Sequence, residues 1–218
     1  MILKRSTVAK AIRDEILAGR WRPGMRLTER AMCEFTQASR SSVREALQQL
    51  RQEGFVENRP NHGVRVASLD IQEAADIYQV RSVLEGLAAR NFINMATVSQ
   101  RQVLEQALAK LERAVEDEEV VAQLHAIEGF YTALLDGCYN AVLKNSLQAL
   151  HAKIARLRAT SIQSPGRIRN TLIEMRKIGD AIRANDEQAA WQACLEHMQS
   201  TAAVAVRMIA TFTQGSRY

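Results

Sequence analysis

The sequence predicts a mostly α-helical protein in two parts: a small N-terminal domain with three helices and a hairpin, and a larger bundle of antiparallel helices. Of 218 residues, 47% are apolar and 5% aromatic, and only three prolines and ten glycines are present, which favours helix. The strand signal lies at 55–68, where β-branched residues flank a Pro-Asn-His-Gly turn. Residues 1–70 carry a net charge of +5, whereas the rest is neutral. We therefore expect domains at 1–69 and 70–218.

The sequence also indicates a cellular location for the protein. No run of about 18 apolar residues is present, so no segment is expected to span a membrane. The first residues, MILKRSTVAKAIRDEI, carry charges throughout and lack the apolar stretch of a signal peptide. Cys33, Cys138 and Cys194 are odd in number and far apart, which favours reduced thiols and a cytoplasmic location.

The N-terminal part contains three short helical patterns in succession. In the first, Val8, Ile12 and Ile16 recur on one face, and Gly19 follows the last turn. Thr28 is a favourable N-cap for the second. The predicted elements are helices at 6–19, 28–35 and 41–53, a tight connection at 36–39 and a hairpin at 55–68. This order is typical of a winged helix-turn-helix.

The third helix begins in the segment SRSSVREAL, which combines small hydroxyls and arginines with an apolar stripe. At about 100° per residue, four apolar side chains share one face: Val43, Ala46, Leu47 and Leu50. Three arginines line up about a quarter turn away: Arg40, Arg44 and Arg51. The serines stand at the N-terminus, where free backbone N–H groups and the helix dipole favour an anion.

Arginine can donate two hydrogen bonds to guanine in a major groove or to phosphate oxygens. Together with the basic hairpin and the charge imbalance, the third helix therefore predicts binding to double-stranded DNA. The simpler interpretation of this helix alone is a capped surface helix with solvated arginines.

The segment from 11 to 66 resembles the N-terminal domain of GntR-type transcription regulators. The matching motifs are I..G...PG.RL.E before the turn, SR..VREAL..L..EG.V across the third helix and P..G..V in the hairpin. The resemblance implies that the third helix enters the major groove and that the hairpin tip, or wing, reaches the minor groove. By position it implies DNA contacts from eight residues: Arg30, Ser39, Arg40, Ser41, Ser42, Arg44, His62 and Gly63.

Two positions depart from the family pattern. Gln37 stands where the family usually has a glycine, which costs about 1 kcal/mol if the residue adopts a positive φ. Ser42 stands where proline is common. Arg59 and Arg65 are assigned to general attraction to the DNA backbone.

After residue 69 the chain consists of long helical patterns separated by short polar or Pro/Gly breaks. The six predicted helices are 71–95, 99–119, 121–136, 140–163, 167–185 and 187–212. With IYQVRSVLEGLAAR at 77–90 and GCYNAVL at 137–143, this part resembles the FCD effector domain of the FadR/VanR-like GntR subgroup. Six helices rather than seven favours the VanR-like branch.

Many such domains hold a metal ion with an Asp and a His one turn apart and two later His, and this chain lacks most of that set. Ile127 and Tyr131 occupy the first two positions and Met175 the next, so that only His197 remains. One imidazole, a phenol and a thioether do not make an ordinary divalent site. We expect no metal and no other cofactor.

The resemblance still implies a pocket in the bundle, with a carboxylate as the expected effector. The candidate effector-binding residues are Arg81, in the family's VR..LE pattern, Tyr131, Arg156 or its neighbour Arg158, Met175 and His197. The alternative is structural: Arg81 pairs with Glu85, four residues further on, and His197 and Met175 belong to the core.

These features predict a DNA-binding transcription regulator, expected to be a repressor whose operator binding is modulated by a small organic acid. A homodimer is expected because a single recognition helix covers too short a site for useful discrimination. Two alternatives retain the DNA-binding dimer: a bundle that only dimerises the heads, and a metal-loaded sensor.

Three other classes fit less well. An enzyme is not expected, because no nucleophile elbow, phosphate loop or HExxH run is present. RNA binding lacks a platform of stacking aromatics. A helical adaptor for another protein is distinguished by salt, since DNA binding weakens steeply as the salt concentration rises.

Overall fold

Two compact units make up the chain, residues 1–69 and 70–218. The computed structural model describes residues 5–60, 62–68 and 70–215. Within these ranges no helix has both the length and the apolar character needed to cross a membrane.

The first unit is a three-helix domain followed by a hairpin. Its elements are α1 (Arg5–Leu17), α2 (Glu29–Thr36), α3 (Arg40–Gln52), β1 (Val56–Arg59) and β2 (Gly63–Val66). The strands pair antiparallel, from Val56 opposite Val66 to Arg59 opposite Gly63. The order predicted from the sequence is confirmed, and the helix boundaries differ from the predicted ones by one or two residues.

Apolar stripes on α1 and α3 form the core of this unit, because each helix repeats its apolar residues with helical spacing. The fully buried members include Val8, Ile12, Val43, Leu50 and Phe55. The loop before α2 is fastened to β2, since the Gly24 and Leu27 N–H groups donate to the Val66 and Val64 carbonyls, both at 2.9 Å. The hairpin is therefore fixed to the helical core by backbone hydrogen bonds.

The turn between α2 and α3 places Gln37 in the left-handed region, with φ 53° and ψ 26°. A residue with a Cβ pays for this conformation, which is why glycine is usual at such a position. The Gln37 amide donates to the Glu34 carbonyl at 2.6 Å. The departure from the family pattern at position 37 therefore falls on a residue whose backbone does need a positive φ.

The second unit is entirely helical in the part that the structure describes. Its helices are α4 (Ile71–Met95), α5 (Val98–Glu116), α6 (Val120–Gly137), α7 (Ala141–Ala149), α8 (His151–Ile162), α9 (Arg167–Arg183) and α10 (Glu187–Gly215). The predicted helical bundle is confirmed, but its count of six helices was one too low. The helix count therefore gives no support to the VanR-like branch.

The error lies at Leu150, where the single helix predicted over 140–163 divides into α7 and α8. Leu150 has φ −98° and ψ 2°, outside the α-helical region. Neither proline nor glycine stands near this break, so the sequence carried no signal for it. The break separates two buried faces, with Leu143 and Leu147 on α7 and Ile154 and Leu157 on α8.

The longest helices of the bundle, α4 and α10, pack closely along each other. Gly86 permits this approach, because a Cβ at that position would lie 3.0 Å from the Trp191 ring. The Arg90 guanidinium lies 5.6 Å from the centre of the Trp191 ring. Helix α5 packs on both α6 and α9.

Candidate functional site

Three serine hydroxyls gather at the N-terminus of α3. Ser39 is the N-cap, and its Oγ accepts a hydrogen bond from the Ser42 N–H at 3.2 Å. The Oγ atoms of Ser41 and Ser42 lie 2.9 and 3.0 Å from that of Ser39. The predicted hydroxyl cluster is therefore assembled at a helix end whose backbone N–H groups favour a phosphate.

The two faces of α3 are divided as the sequence pattern predicts. Its buried residues are Val43, Ala46, Leu47 and Leu50. The arginines Arg40, Arg44 and Arg51 are exposed to solvent. The guanidinium groups are thus on the outside of the unit, where a nucleic acid can reach them.

Arg44 is held by a partner that the sequence analysis did not identify. Its Nε donates to the Glu29 carboxylate at 2.7 Å, which joins α3 to α2. This hydrogen bond holds the pKa of Glu29 below its usual value. Because the two residues are fifteen positions apart on different helices, no local spacing in the sequence indicates the pair.

The remaining predicted DNA contacts on the first unit are exposed or lie at the wing. Arg30 pairs with Glu34 at 2.9 Å and keeps 87% of its side chain exposed. His62 is exposed, and Gly63 has φ 72°, a conformation that suits glycine at the hairpin tip. Arg65 also has a structural contact, because its Nη1 donates to the Gly24 carbonyl at 2.7 Å and ties the hairpin to the preceding loop.

In the second unit, the first candidate effector residue takes part in a buried ion pair. The Arg81 Nε donates to Glu85 Oε1 at 2.8 Å, and only 2% of the Arg81 side chain is exposed. Burial opposes the charged form of Arg81, but the Glu85 carboxylate together with the neighbouring Tyr78 and Tyr131 outweighs it, and the pKa of Arg81 is raised. This is the structural pairing that the sequence left open as an alternative.

Tyr131 lies at the centre of the predicted effector residues. Its ring stacks on the His197 ring at 6.5 Å between centroids. The guanidinium carbons of Arg81 and Arg158 lie 5.8 and 5.2 Å from its centroid. Burial, followed by the nearby Glu85 charge, raises the pKa of Tyr131 well above its usual value, so the phenol is neutral. The structure thus brings Arg81, Tyr131 and His197 together.

His197 is also bound to a network that joins α9 and α10. Its Nδ1 lies 2.6 Å from Glu174 Oε2, and Arg167 donates to both Glu174 oxygens at 2.8 and 2.6 Å. Burial raises the pKa of Glu174, but the hydrogen bonds from His197 and Arg167 outweigh it and lower that pKa to about 2. Burial lowers the pKa of His197, which is therefore neutral and donates through Nδ1. Sequence analysis missed this network, although Arg167 and Glu174 stand two turns apart on one helix.

A cavity of about 420 Å³ opens beside this cluster, with walls from α4, α6, α7 and α8. Of the five predicted effector residues, Tyr131 lines it. Its ionisable lining residues are Glu85, Glu128, Asp136, Lys144, His151 and Arg158.

The remaining predicted effector residues are not among those that line the cavity. Met175 is completely buried. Arg156 bonds the Ala152 carbonyl through Nε at 3.4 Å, and its neighbour Arg158 is the arginine of α8 that reaches the cavity. Helical spacing could not decide between two arginines two residues apart until the bundle packing was known.

The positions of the family's metal ligands are filled by other side chains. Ile127 and Met175 are buried, and Tyr131 contacts His197 rather than a ligand set. Among the residues that the structure describes, no three His, Cys, Asp or Glu side chains are grouped as a metal ion requires.

Comparison with family models agrees with this architecture. Residues 4–66 match the model of bacterial regulatory proteins of the GntR family, and residues 76–200 match the FCD domain. The chain belongs to the GntR family and carries an FCD domain as its second unit. It is therefore a transcription regulator with a DNA-binding helix-turn-helix domain.

Several known proteins are similar to this chain over most of their length. An uncharacterized HTH-type transcriptional regulator of Bacillus subtilis (strain 168), YdhC, is 28% identical over 190 residues, which cover 85% of this chain and 84% of the relative. The probable D-xylose utilization operon transcriptional repressor of Paenarthrobacter nicotinovorans is 28% identical and covers 90% and 88%. The structure of E. coli McbR/YncC has a TM-score of 0.76 at 20% identity and covers 95% and 99%, a likeness of fold.

Proposed function

We propose that this protein is an effector-controlled transcription repressor that acts in the cytoplasm as a homodimer on a pseudo-palindromic DNA operator. Each first unit places α3 in a major groove and its wing at the adjacent minor groove. The second unit holds a small carboxylate, whose binding changes the affinity of the dimer for DNA. An effector acts in this way only through the difference in its affinity for the two arrangements of the dimer.

The arrangement of α3 carries the DNA-binding part of the proposal. Its buried stripe anchors the helix, its hydroxyls gather at the N-terminus, and Arg40 and Arg44 face solvent. Phosphate contacts at the helix end supply affinity and position, while arginine contacts to base edges supply sequence choice. These residues form one continuous stretch of α3, which fits a recognition helix.

The cavity beside Tyr131 supports the effector part. Its volume of about 420 Å³ lies within the range of small-molecule pockets, and Arg158 supplies a cation for a carboxylate. A unit that only dimerised the heads would need no such space. The relative from Paenarthrobacter nicotinovorans is named as a probable repressor, which favours repression here.

The DNA-binding proposal is tested with operators selected from a random duplex pool by the full-length protein. We expect Arg44→Ala to weaken binding to the selected duplex by about tenfold or more and to relax sequence choice at one position per half-site. Arg51→Ala is the matched control, because it removes the same charge two turns further along α3, away from the serines. It should lower affinity for all duplexes alike.

The readout is fluorescence anisotropy as a function of salt. A dimer with about six phosphate contacts should lose about a thousandfold in affinity between 50 and 200 mM salt. If Arg44→Ala and Arg51→Ala behave alike on selected and random duplexes, Arg44 does not read the sequence. Size-exclusion chromatography with light scattering measures the stoichiometry, and a monomer on a single half-site would contradict the dimer.

A further inference from the structure

The cavity contains one charged side chain that lacks an opposite partner. Lys144 bonds Asp136 at 2.6 Å, and His151 lies 3.5 Å from Glu128. The Arg158 guanidinium has the Tyr131 ring beside it but, within the described part of the chain, no acceptor for its hydrogen bonds. Burial, followed by the neighbouring Arg81 charge, lowers the pKa of Arg158. A bound anion would offset both effects.

Glu85, which lines the same cavity, has one carboxylate oxygen that lacks a hydrogen-bond donor in the described part of the chain. Its Oε1 accepts from Arg81, whereas its Oε2 is buried without a hydrogen-bond partner among the described residues. The Tyr131 hydroxyl is likewise buried and unpartnered there. A buried carboxylate oxygen without a donor is costly and rare in folded proteins. The cavity therefore offers an acceptor for a ligand's hydrogen-bond donor.

Arg158 and Glu85 both line the cavity, around Tyr131. Arg81 and Arg158 contact the same Tyr131 ring, and Arg81 holds Glu85 at 2.8 Å. A ligand that meets both groups must carry its anion and its donor on neighbouring atoms.

Charge distinguishes between the possible donors. Arg81 and Arg158 are both buried beside the Tyr131 ring, whereas the other lining carboxylates, Asp136 and Glu128, lie against Lys144 and His151. An ammonium group would add a positive charge beside two buried arginines, so a neutral hydroxyl is favoured. The apolar lining residues Leu135, Leu147 and Ile154 suit a hydrocarbon body.

We propose that the cavity binds an α-hydroxy carboxylate with an apolar body, its carboxylate on Arg158 and its hydroxyl donating to Glu85 Oε2. The proposal rests on the effector function above and specifies its ligand. Arg81, the anion-binding residue implied by the family resemblance, has a different part here: it is a positioning residue that holds Glu85.

The test uses the full-length protein and three matched probes of one carbon skeleton, measured by isothermal titration calorimetry. The probes are 3-phenyllactate, 3-phenylpropionate and phenylalanine, and the set 2-hydroxyhexanoate, hexanoate and 2-aminohexanoate repeats the comparison with an aliphatic body. We expect each hydroxy acid to bind at least about tenfold more tightly than its deoxy analogue, since the analogue leaves Glu85 Oε2 unpartnered. The amino acid should bind more weakly than the hydroxy acid.

The outcomes separate this proposal from the effector function. Equal affinity of the hydroxy and deoxy acids overturns the Glu85 contact and leaves a carboxylate effector standing. Tightest binding by the amino acids overturns the hydroxyl assignment. No binding by any probe up to 10 mM overturns the carboxylate site itself, while operator binding, measured on the same sample, still tests the DNA-binding function.

Two neighbouring arginines of α8 provide matched variants, because both are 9% exposed and only Arg158 lines the cavity. Arg158→Gln should weaken the hydroxy and deoxy acids alike by about tenfold or more, and Arg156→Gln should leave both unchanged. Glu85→Gln should reduce the preference for the hydroxy acid while retaining carboxylate binding.

Circular dichroism checks that each variant folds. If a variant does not fold, the comparison of probes in the unaltered protein remains decisive. An equal effect of Arg156→Gln and Arg158→Gln would overturn the assignment.

Discussion

At the scale of single residues, Gln37 shows a conflict between backbone conformation and side chain. Its φ of 53° is left-handed, and its amide only partly compensates by bonding the Glu34 carbonyl. We expect Gln37→Gly to stabilise the first unit by about 1 kcal/mol, because glycine adopts this region without the Cβ clash. Hydrogen exchange of amides in α2 and α3, measured by mass spectrometry, reports the change.

Gln37→Ala is the control for this prediction, since alanine keeps the Cβ and loses only the amide. It should leave protection equal or lower. If glycine gives no more protection than alanine, the left-handed backbone at position 37 is not strained.

Glu29 is the second residue whose role depends on one contact. Its carboxylate accepts a hydrogen bond from the exposed Arg44 guanidinium, and it also places a negative charge beside α3, the proposed recognition helix. We expect Glu29→Gln to bind random duplexes more tightly, because a repulsive charge is lost. The ratio of specific to non-specific affinity should fall about three- to tenfold, because Arg44 becomes less ordered.

Anisotropy titrations with selected and random duplexes measure both quantities. Glu15→Gln removes an equal charge from the pair that Glu15 makes with Arg20, away from α3, and should leave the ratio unchanged. An unchanged ratio in Glu29→Gln would show that Glu29 does not position Arg44.

At the scale of elements, Ser39 caps the start of α3, and the proposed function also gives it a contact with a DNA phosphate. Ser39→Asp keeps a good N-cap but adds a negative charge, whereas Ser39→Ala removes the cap at a cost of about 1 kcal/mol. We expect Ser39→Asp to retain the thermal stability of the first unit and to lose DNA binding. Stability comes from calorimetry and affinity from anisotropy; full affinity in Ser39→Asp would remove this helix end from the phosphate contacts.

The elements themselves were predictable to different degrees. Helix α3 and the hairpin were predicted because periodic apolar residues, an N-cap and a turn mark them locally. The division at Leu150 was missed because strong helix formers stand on both sides, and the chain breaks there as α7 and α8 bury different faces. Local sequence signals therefore locate the end of a helix or strand only where a cap or a turn at that end terminates it.

At the scale of the whole molecule, the network between α9 and α10 makes stability depend on pH. Burial keeps the pKa of His197 below 6.5, so the unfolded chain binds the proton more readily and stability falls as the pH drops below about 6.5. The pKa of Glu174, about 2, lies below its ordinary 4.5, so its contribution is present above pH 4.5 and is lost as the pH falls towards 2. Both groups make acid destabilising for the second unit.

His197→Asn tests this sign, because an asparagine amide can still donate to Glu174 but does not titrate near neutral pH. We expect a lower unfolding temperature at pH 7.5, owing to the smaller side chain, and a flatter dependence between pH 6.5 and 5. Calorimetry at several pH values measures it. A steeper fall in the variant than in the unaltered protein would contradict the buried neutral imidazole.

The sequence by itself determined the two-part organisation, the winged helix-turn-helix, the helical character of the second unit and the outward arginines of α3, because each follows from local spacing and composition. Only the tertiary structure decided which side chains meet: Glu29 with Arg44, Arg81 with Glu85, Glu174 with His197, and Arg158 rather than Arg156 at the cavity. The Glu29–Arg44 and Glu174–His197 contacts join different helices. The Arg81–Glu85 pair lies within α4 and is one of the two alternatives that the sequence left open, and the cavity selects one of two arginines on α8. Helix packing fixes such choices, and one helix's periodicity carries no information about its neighbour's rotation.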